Sequence, residues 1–472
     1  MSIFNSDLKP EVIISALKDV KNQIRFVGIL GSGMYPLAKL LFKRGYSVSG
    51  SDDNAYTDSY IDEFGIAIDR PKCLLDQRVG LVVYSLAIDV ENPEISYAIL
   101  HGIPLISRAQ LLGAVMSFYK TRISVSGSHG KSTTTALIDH ILKSADVLHT
   151  TVSGAELSSG ESLRDEAGDV FLAEACEYKD SFLRLCPTHQ LITSVELDHT
   201  DYFATEAAIC ASFRKAAENA DFTLINRDDK NAFCIVEKIR TSISERRGTV
   251  FTYGRFENAD YRFCNVVHRG DVTEFSILSA GQEFELTTSL MGDFNLYNIT
   301  AAVAMADMLG VEKSRIETAI ADFRSIKRRL SKIADIDGIP VYYDYAHHPT
   351  EIGAVIKALK DRHGTLTVIF RPHTYSRTKS LWNDFITELS KADFTILLDI
   401  YPAREKAIYG VNSKALAKEI KKCIFSDSAN AARLAISRRH GAIALLGAGD
   451  VDDVKRDLIE LGKTRDTNPK RR

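Results

Sequence analysis

The stretch Val125-Ser126-Gly127-Ser128-His129-Gly130-Lys131-Ser132-Thr133-Thr134-Thr135 concentrates residue types that handle phosphate. Glycines in a tight turn let backbone N–H groups approach anionic oxygens, and a helix beginning at the turn adds positive potential. Lys131 is placed to put its ammonium on β/γ-phosphates and Ser132 to give its hydroxyl to a magnesium ion. The general nucleotide pattern has a further glycine where this chain has Val125, so the motif is the shorter Gly-x-x-Gly-Lys-Ser form.

Further candidates follow apolar runs. Glu174 ends Val170-Phe171-Leu172-Ala173, and His199 follows Gln190–Val195 by way of Glu196-Leu197-Asp198. Taken singly, the first reads as a strand-end acid and the second as a satisfied histidine. Beside a phosphate turn they read as cation ligands, with Ser132 and Glu174 holding Mg²⁺ through oxygen and His199 reaching a second ion through nitrogen. Arg328-Arg329 is either a solvated pair or, at a domain junction, a source of charge for a γ-phosphate. In Asp344-Tyr345-Ala346-His347-His348-Pro349, an imidazole could orient or deprotonate an amine near neutral pH, unless the pair simply fronts a helix starting at Pro349. Arg377, in Arg371-Pro372-His373-Thr374-Tyr375-Ser376-Arg377, could clamp a carboxylate with two N–H groups.

A second glycine turn lies near the N-terminus. Residues 24–30 read as a strand, Gly31-Ser32-Gly33-Met34 as a turn, Pro36–Lys43 as a helix, and 46–50 as a strand ending at Ser51-Asp52-Asp53. A dinucleotide fingerprint needs a third glycine that Tyr35-Pro36 do not supply. The turn therefore reads as facing a phosphorylated ligand, with NAD a minor alternative and a plain β–α turn another.

The elements that position these residues fall into three α/β blocks. Residues 1–120 hold strands at 24–30, 46–50, 80–85 and 103–108 and a helix at 109–118. Residues 121–325 hold the phosphate turn, strands at 170–174, 190–195 and 222–225, short alternating antiparallel runs over 248–290, and a helix over 292–309. Residues 326–472 hold strands at 340–344, 365–370, 394–398 and 442–446 separated by helices, and read as a third parallel α/β domain with a polar tail from Gly462. Active groups stand at the C-terminal ends of strands, where open parallel sheets bind ligands.

Composition bounds the function. A chain of 472 residues with formal net charge −3 has no general attraction for nucleic acid or an anionic membrane. No apolar run reaches spanning length and residues 1–18 lack a signal-peptide core, so the chain reads as cytoplasmic. The 7 cysteines are odd in number and form no Cys-x-x-Cys pair, which argues against structural zinc and a disulfide framework. Monomer and homodimer are both open.

Taken together and in order, these motifs resemble those of the Mur ligases. The shared stretches are Gly28–Met34, Gly127–Thr134, Glu174-Ala175-Cys176-Glu177, Glu196–His199, Gly292–Asn298, Arg328-Arg329, Asp344–Thr350 and Arg371–Thr378. The resemblance implies an N-terminal Rossmann-like domain binding a UDP-sugar, a central P-loop ATPase-like domain and a C-terminal Rossmann-like domain binding an amino acid. It implies that ATP, with Mg²⁺ (or Mn²⁺), phosphorylates the muramyl carboxylate of UDP-N-acetylmuramate, and that the amine of L-alanine displaces the phosphate. By the same carry-over, Gly127, Ser128, His129, Gly130, Lys131, Ser132 and Thr133 cradle the phosphates, with Ser132, Glu174 and His199 as metal ligands. Asn295 and Asp344 face the adenosine, Arg329 the phosphates, and His348 and Arg377 the alanine. Lys131, His199, Arg329 and His348 are the expected catalytic groups. Gly31, Ser32, Gly33, Met34, Ser51, Asp52, Ser85 and Arg108 are the expected UDP-sugar contacts. Two departures stand out: Phe294 occupies a position where the family often has histidine, and Arg371-Pro372-His373-Thr374 replaces Gln-Pro-His-Arg. A recycling ligase that adds a tripeptide to the same sugar shares these motifs and differs in its acceptor pocket. A nucleotide-gated binding protein without ligation is the alternative of another class.

Overall fold

Strands of three to nine residues, the central ones mostly apolar runs, build three sheets in the computed structural model. The structure describes residues 22–466 apart from 56, 90, 246–247, 404, 440 and 449–450, together with Ile13 and Leu17. The expected polar lead over 1–18 otherwise lies outside the described residues. So does the tail beyond 466, whereas the expected start of that tail at Gly462 falls inside the helix Asp452–Asp466.

The first sheet has six strands in the order Ser59–Ile61, Ala67–Asp69, Val48–Ser51, Gln23–Val27, Val79–Tyr84, Leu105–Ser107. All neighbours pair parallel except the first two. Parallel strands covered on both faces need apolar side chains on both, and Val79–Tyr84 accordingly reads as a near-continuous apolar run.

The second sheet has ten strands and centres on Thr121–Ser126, which lies between Val170–Glu174 and His189–Ile192. Register aligns Glu174 with Val125 and Ile192 with Ser126, so three adjacent strands end at one level. That edge delivers Gly127, Glu174 and Thr193 to a common place. Beyond His189–Ile192 run Phe222–Asn226, Thr249–Gly254 and Tyr261–Arg269, each pairing parallel with the strand before it, and then Val272–Ser279 and Gln282–Thr288, which pair antiparallel. The helix Lys131–Ser144 packs against the helix Asp293–Met308. The buried alanines 301, 302, 304 and 306 of the latter permit a close approach. Ile138 and Ile141 are fully buried on the former, where truncation to alanine costs about 2–5 kcal/mol.

The third sheet has six strands in the order Ser331–Ile336, Ile339–Asp344, Ala442–Leu446, Leu366–Phe370, Phe394–Leu397, Cys423–Phe425. It is not wholly parallel, as the sequence suggested: Ser331–Ile336 pairs antiparallel with Ile339–Asp344. The turn between them, Asp337-Gly338, has φ of +52° and +82°, the left-handed pair that a two-residue hairpin needs. All seven cysteines are free thiols. Among the described residues no helix is long and apolar enough to cross a membrane.

Candidate active site

The phosphate turn is shaped by two glycines. Gly127 has φ +140° and a Cβ there would collide with the Thr193 hydroxyl; Gly130 has φ +81° and a Cβ there would strike the Asn298 carboxamide. Ser128 Oγ is fixed by Glu196, donating to its carbonyl at 2.9 Å and accepting from its N–H at 2.8 Å. The Ser132 hydroxyl donates to Glu174 Oε1 at 2.9 Å. Glu174 Oε2 accepts from Gly154 N at 3.0 Å and Ser153 Oγ at 3.2 Å.

Lys131 folds back onto the carbonyls of Gly127 and Ser128 and pairs with Glu177 at 3.1 Å. Burial by itself would lower its ammonium pKa, but the neighbouring Glu177 carboxylate outweighs that and raises it. Glu177 is almost wholly buried and also stands 3.7 Å from His199 Nε2. His199 has φ +52° and its ring lies 4.8 Å from that of Tyr178, tilted by 39°. The carboxylates nearest His199 Nε2 are therefore Glu177 at 3.7 Å and Asp198 at 4.0 Å, and Ser132–Glu174 and His199–Glu177 form two polar groups beside the turn.

The C-terminal lobe closes over this edge. Arg329 Nη2 donates to Ser132 Oγ at 3.2 Å. His129 lies between carboxylates from two lobes, its Nε2 2.8 Å from Glu196 and its Nδ1 3.0 Å from Glu351. Burial would lower the His129 pKa; the two carboxylates overcome it and raise it to about 10, so this imidazole is a cation at neutral pH. Thr350 donates to Glu196 at 2.6 Å. Arg377 donates to Asp198 at 2.9 Å and lies 3.3 Å from His373 Nδ1.

His348, by contrast, is buried with neither ring nitrogen hydrogen-bonded, and its pKa is lowered by that burial and by the His129 cation. Asp344 accepts from Leu330 N at 2.6 Å and Ala346 N at 2.7 Å. Its burial raises the carboxyl to about 6 despite Arg329. A cavity of 260 Å³ opens between the lobes and is lined by Gly130, Phe294, Asn295, Tyr297, Arg329 and Asp344, among others. Asn295 is oriented there by donating to Met291 O at 2.8 Å and accepting from Asn298 at 3.1 Å. Phe294 gives that wall an apolar edge.

Three family profiles match in succession: Mur ligase family, catalytic domain, over residues 23–120; Mur ligase middle domain over 125–306; and Mur ligase, glutamate ligase domain, over 328–450. The UDP-N-acetylmuramate--L-alanine ligase of Caldicellulosiruptor bescii is 36% identical over 450 residues, covering 91% of this chain and 97% of its own. That of Lachnospira eligens is 35% identical over 459 residues, covering 93% and 98%. The chain belongs to the Mur ligase family.

Its fold matches that of the UDP-N-acetylmuramate-alanine ligase of Thermotoga maritima with TM-score 0.76, 24% identity, and coverage of 94% of this chain and 100% of the other. A murein peptide ligase of Psychrobacter arcticus shares the fold at TM-score 0.67 and 19% identity, with 93% and 98% covered.

In this Mur ligase the N-terminal glycine turn is braced by Asp52, whose Oδ2 accepts from Leu30 N at 3.0 Å. Arg108 lies against Gly33, where a Cβ would come within 3.1 Å of its guanidinium. Gly31 O accepts from Met34 N at 2.8 Å, closing the turn around Ser32. Ser85 caps the next strand end, accepting from Ala87 N at 3.3 Å. Two expected contacts offer only backbone here. Met34 packs its side chain into the apolar core, and Ser51 donates to the buried Glu94 at 2.7 Å, part of a network that also holds Arg25.

Four carboxylates that pair with the basic groups of this site had no role assigned from the sequence: Glu177, Glu196, Asp198 and Glu351. A signal existed for Glu351, the third residue of a helix opened by Pro349, where an acid meets free N–H groups. Its Oε2 accepts from the N–H groups of His347 and His348 at 3.1 and 3.3 Å.

Proposed function

We propose that this Mur ligase joins L-alanine to UDP-N-acetylmuramate with ATP as the phosphoryl donor, a step of peptidoglycan precursor synthesis. The observation that carries the reading is the convergence of Lys131, Ser132, Glu174 and Arg329 on one strand-end edge, together with the near full-length likeness to proteins of that activity.

A carboxylate is a poor acylating agent until one oxygen becomes a phosphate leaving group. Phosphoryl transfer asks mainly for positioning and positive charge. The glycine turn presents N–H groups to the triphosphate, and Lys131 exchanges Glu177 and carbonyl partners for phosphate oxygens. Arg329 brings a second cation from the opposite lobe. The oxygen donors Ser132 Oγ and Glu174 suit a hard cation, and His199 with Glu177 adds a second donor group. These residues would hold a magnesium ion, which would supply neutralising charge for the transferring phosphoryl group.

The carboxylate oxygen of the sugar acid attacks the γ-phosphorus and ADP leaves, giving an acyl phosphate. The alanine amine then attacks its carbonyl carbon, and the tetrahedral intermediate expels phosphate. His348, kept neutral by burial, has a lone pair for the amine proton. Arg377, oriented by Asp198, is set to hold the alanine carboxylate.

The test is phosphate release from ATP with UDP-N-acetylmuramate and a panel of acceptors. L-alanine should support turnover far better than a murein tripeptide. Preference for the tripeptide would transfer the chain to the recycling reaction, and no turnover with any amine would leave a nucleotide-gated binding protein. On this reading the substrates are small molecules and the reaction runs in the cytoplasm, and the net charge of −3 gives no general attraction for nucleic acid.

A further inference from the structure

We propose that His129, Glu196 and His348 form a binding site for a divalent transition ion of the Zn²⁺ class, separate from the oxygen donors Ser132 and Glu174. One ligand atom from each residue lies within 4.8 Å of the others. Glu196 Oε2 is 2.8 Å from His129 Nε2 and 3.9 Å from His348 Nδ1. Ligands of a tetrahedral zinc ion stand about 2.0–2.2 Å from the metal and so about 3.3 Å from one another. The two spacings bracket that value, and the remaining pair, His129 with His348, stands within 4.8 Å.

The second observation is independent of the cluster. His348 is 3% exposed, and neither of its ring nitrogens has a hydrogen-bond partner among the described residues. A buried imidazole with both nitrogens unmet is costly, and an ion supplies one of the missing partners. The outer groups are also in place. Glu351 Oε1 accepts a hydrogen bond from His129 Nδ1–H at 3.0 Å, which leaves Nε2 for the metal, and Thr350 steadies Glu196 at 2.6 Å. Carboxylate behind imidazole and hydroxyl behind carboxylate are what hold zinc ligands in orientation. Two imidazoles and one carboxylate with an open fourth position favour zinc, cobalt or nickel over magnesium, which prefers oxygen.

Binding is balanced by one proton. The ion takes the Nε2 lone pair of His129, and the proton held between His129 and Glu196 leaves to solvent, with no change of oxidation state. The three ligands come from the phosphate turn, the loop after His189–Ile192, and the start of the helix Pro349–His363. One bound ion therefore ties the central lobe to the C-terminal lobe. On the ligation reading above, it also occupies the imidazole that faces the acceptor amine, so it inhibits in competition with alanine.

The test titrates the reduced, full-length protein with Co²⁺ and then Zn²⁺. The expected result is one tetrahedral Co²⁺ per chain, with visible d–d absorption and no thiolate charge-transfer band, displaced by Zn²⁺. His348→Gln and Glu196→Gln should each weaken binding at least tenfold, and Glu351→Ala by about 10–100-fold. Thr350→Val, at an exposed position, gives a milder loss and serves if the others fold poorly. Melting of each metal-free variant is measured alongside. A thiolate band, or binding unchanged in folded variants, overturns the proposal. The cobalt spectrum does not need turnover, so a failed ligation assay and a failed metal site give different results.

Discussion

Arg329, at the start of the C-terminal lobe, donates to the hydroxyl of Ser132 on the phosphate-turn helix, 3.2 Å apart in space and 197 residues apart in sequence. The same hydroxyl donates to Glu174, so one small side chain links a lobe, a helix start and a strand end. The Arg329 guanidinium is also 5.3 Å from the Tyr345 ring centroid, which limits its freedom. In the ligation reaction proposed above, an arginine so placed would act on charge that develops during phosphoryl transfer more than on nucleotide binding.

Arg329→Ala should therefore lower kcat by about 10²–10³-fold with a much smaller change in the KM for ATP. Arg329→Lys should recover part of the loss, because a lysine keeps the charge but not the planar fork. Steady-state ADP release with ATP varied separates the two constants. An equal rise in KM with kcat unchanged would place Arg329 in ground-state binding instead.

Gly130→Ala should cost about 1–3 kcal/mol of stability and abolish most nucleotide binding. The backbone there has φ +81°, and the added methyl meets the Asn298 carboxamide. Asn298→Ala in the same chain relieves the collision but not the backbone strain, so the double variant should be intermediate. Denaturant melts with and without ATP measure both effects.

Asp198→Asn leaves Arg377 with a neutral partner in a place where both side chains are mostly buried. Burial would raise the Asp198 carboxyl pKa, but the Arg377 guanidinium beside it holds it well below the usual carboxylate range. Stability should fall by about 3–5 kcal/mol, and the KM for the acceptor should rise at least tenfold while that for ATP changes little. Varying each substrate in turn checks the selectivity of the effect.

Asp139 supplies a pH test remote from the site. It is buried with His149 at 3.0 Å and Arg164 at 2.9 Å. Burial raises its pKa, but those two partners outweigh it and bring it to about 2. A depressed carboxyl contributes stability above its unfolded value, and that contribution is lost as pH falls through the folded one. About 2 kcal/mol should disappear between pH 4 and pH 2. Asp139→Asn should be less stable at pH 7 and show a flatter acid limb in chemical denaturation.

Much of the molecule is legible in order along the chain. The strand Thr121–Ser126, its glycine turn and the helix from Lys131 are local, so apolar run, turn residues and helix start all point one way. The hairpin Ser331–Ile336 with Ile339–Asp344 has a turn signal in Asp337-Gly338, but its first strand, Ser-Lys-Ile-Ala-Asp-Ile, shows neither an apolar run nor a clean two-residue period, and its register shifts between Lys332 and Ala334. The strand His149–Val152 is fully buried yet, as His-Thr-Thr-Val, contains no apolar run to mark it.

The sequence by itself determined the phosphate turn, the three α/β blocks and the strand ends that carry acids. These depend on neighbours within a few residues, where backbone sterics and side-chain period act. Only the tertiary structure decided which acid meets which base. Glu177 rather than Glu174 faces His199, Asp198 takes Arg377 from 179 positions away, and Glu351 takes His129 from 222. Such pairs are fixed by how the lobes pack and by the need of a buried charge for a partner, and neither has a signature in local spacing.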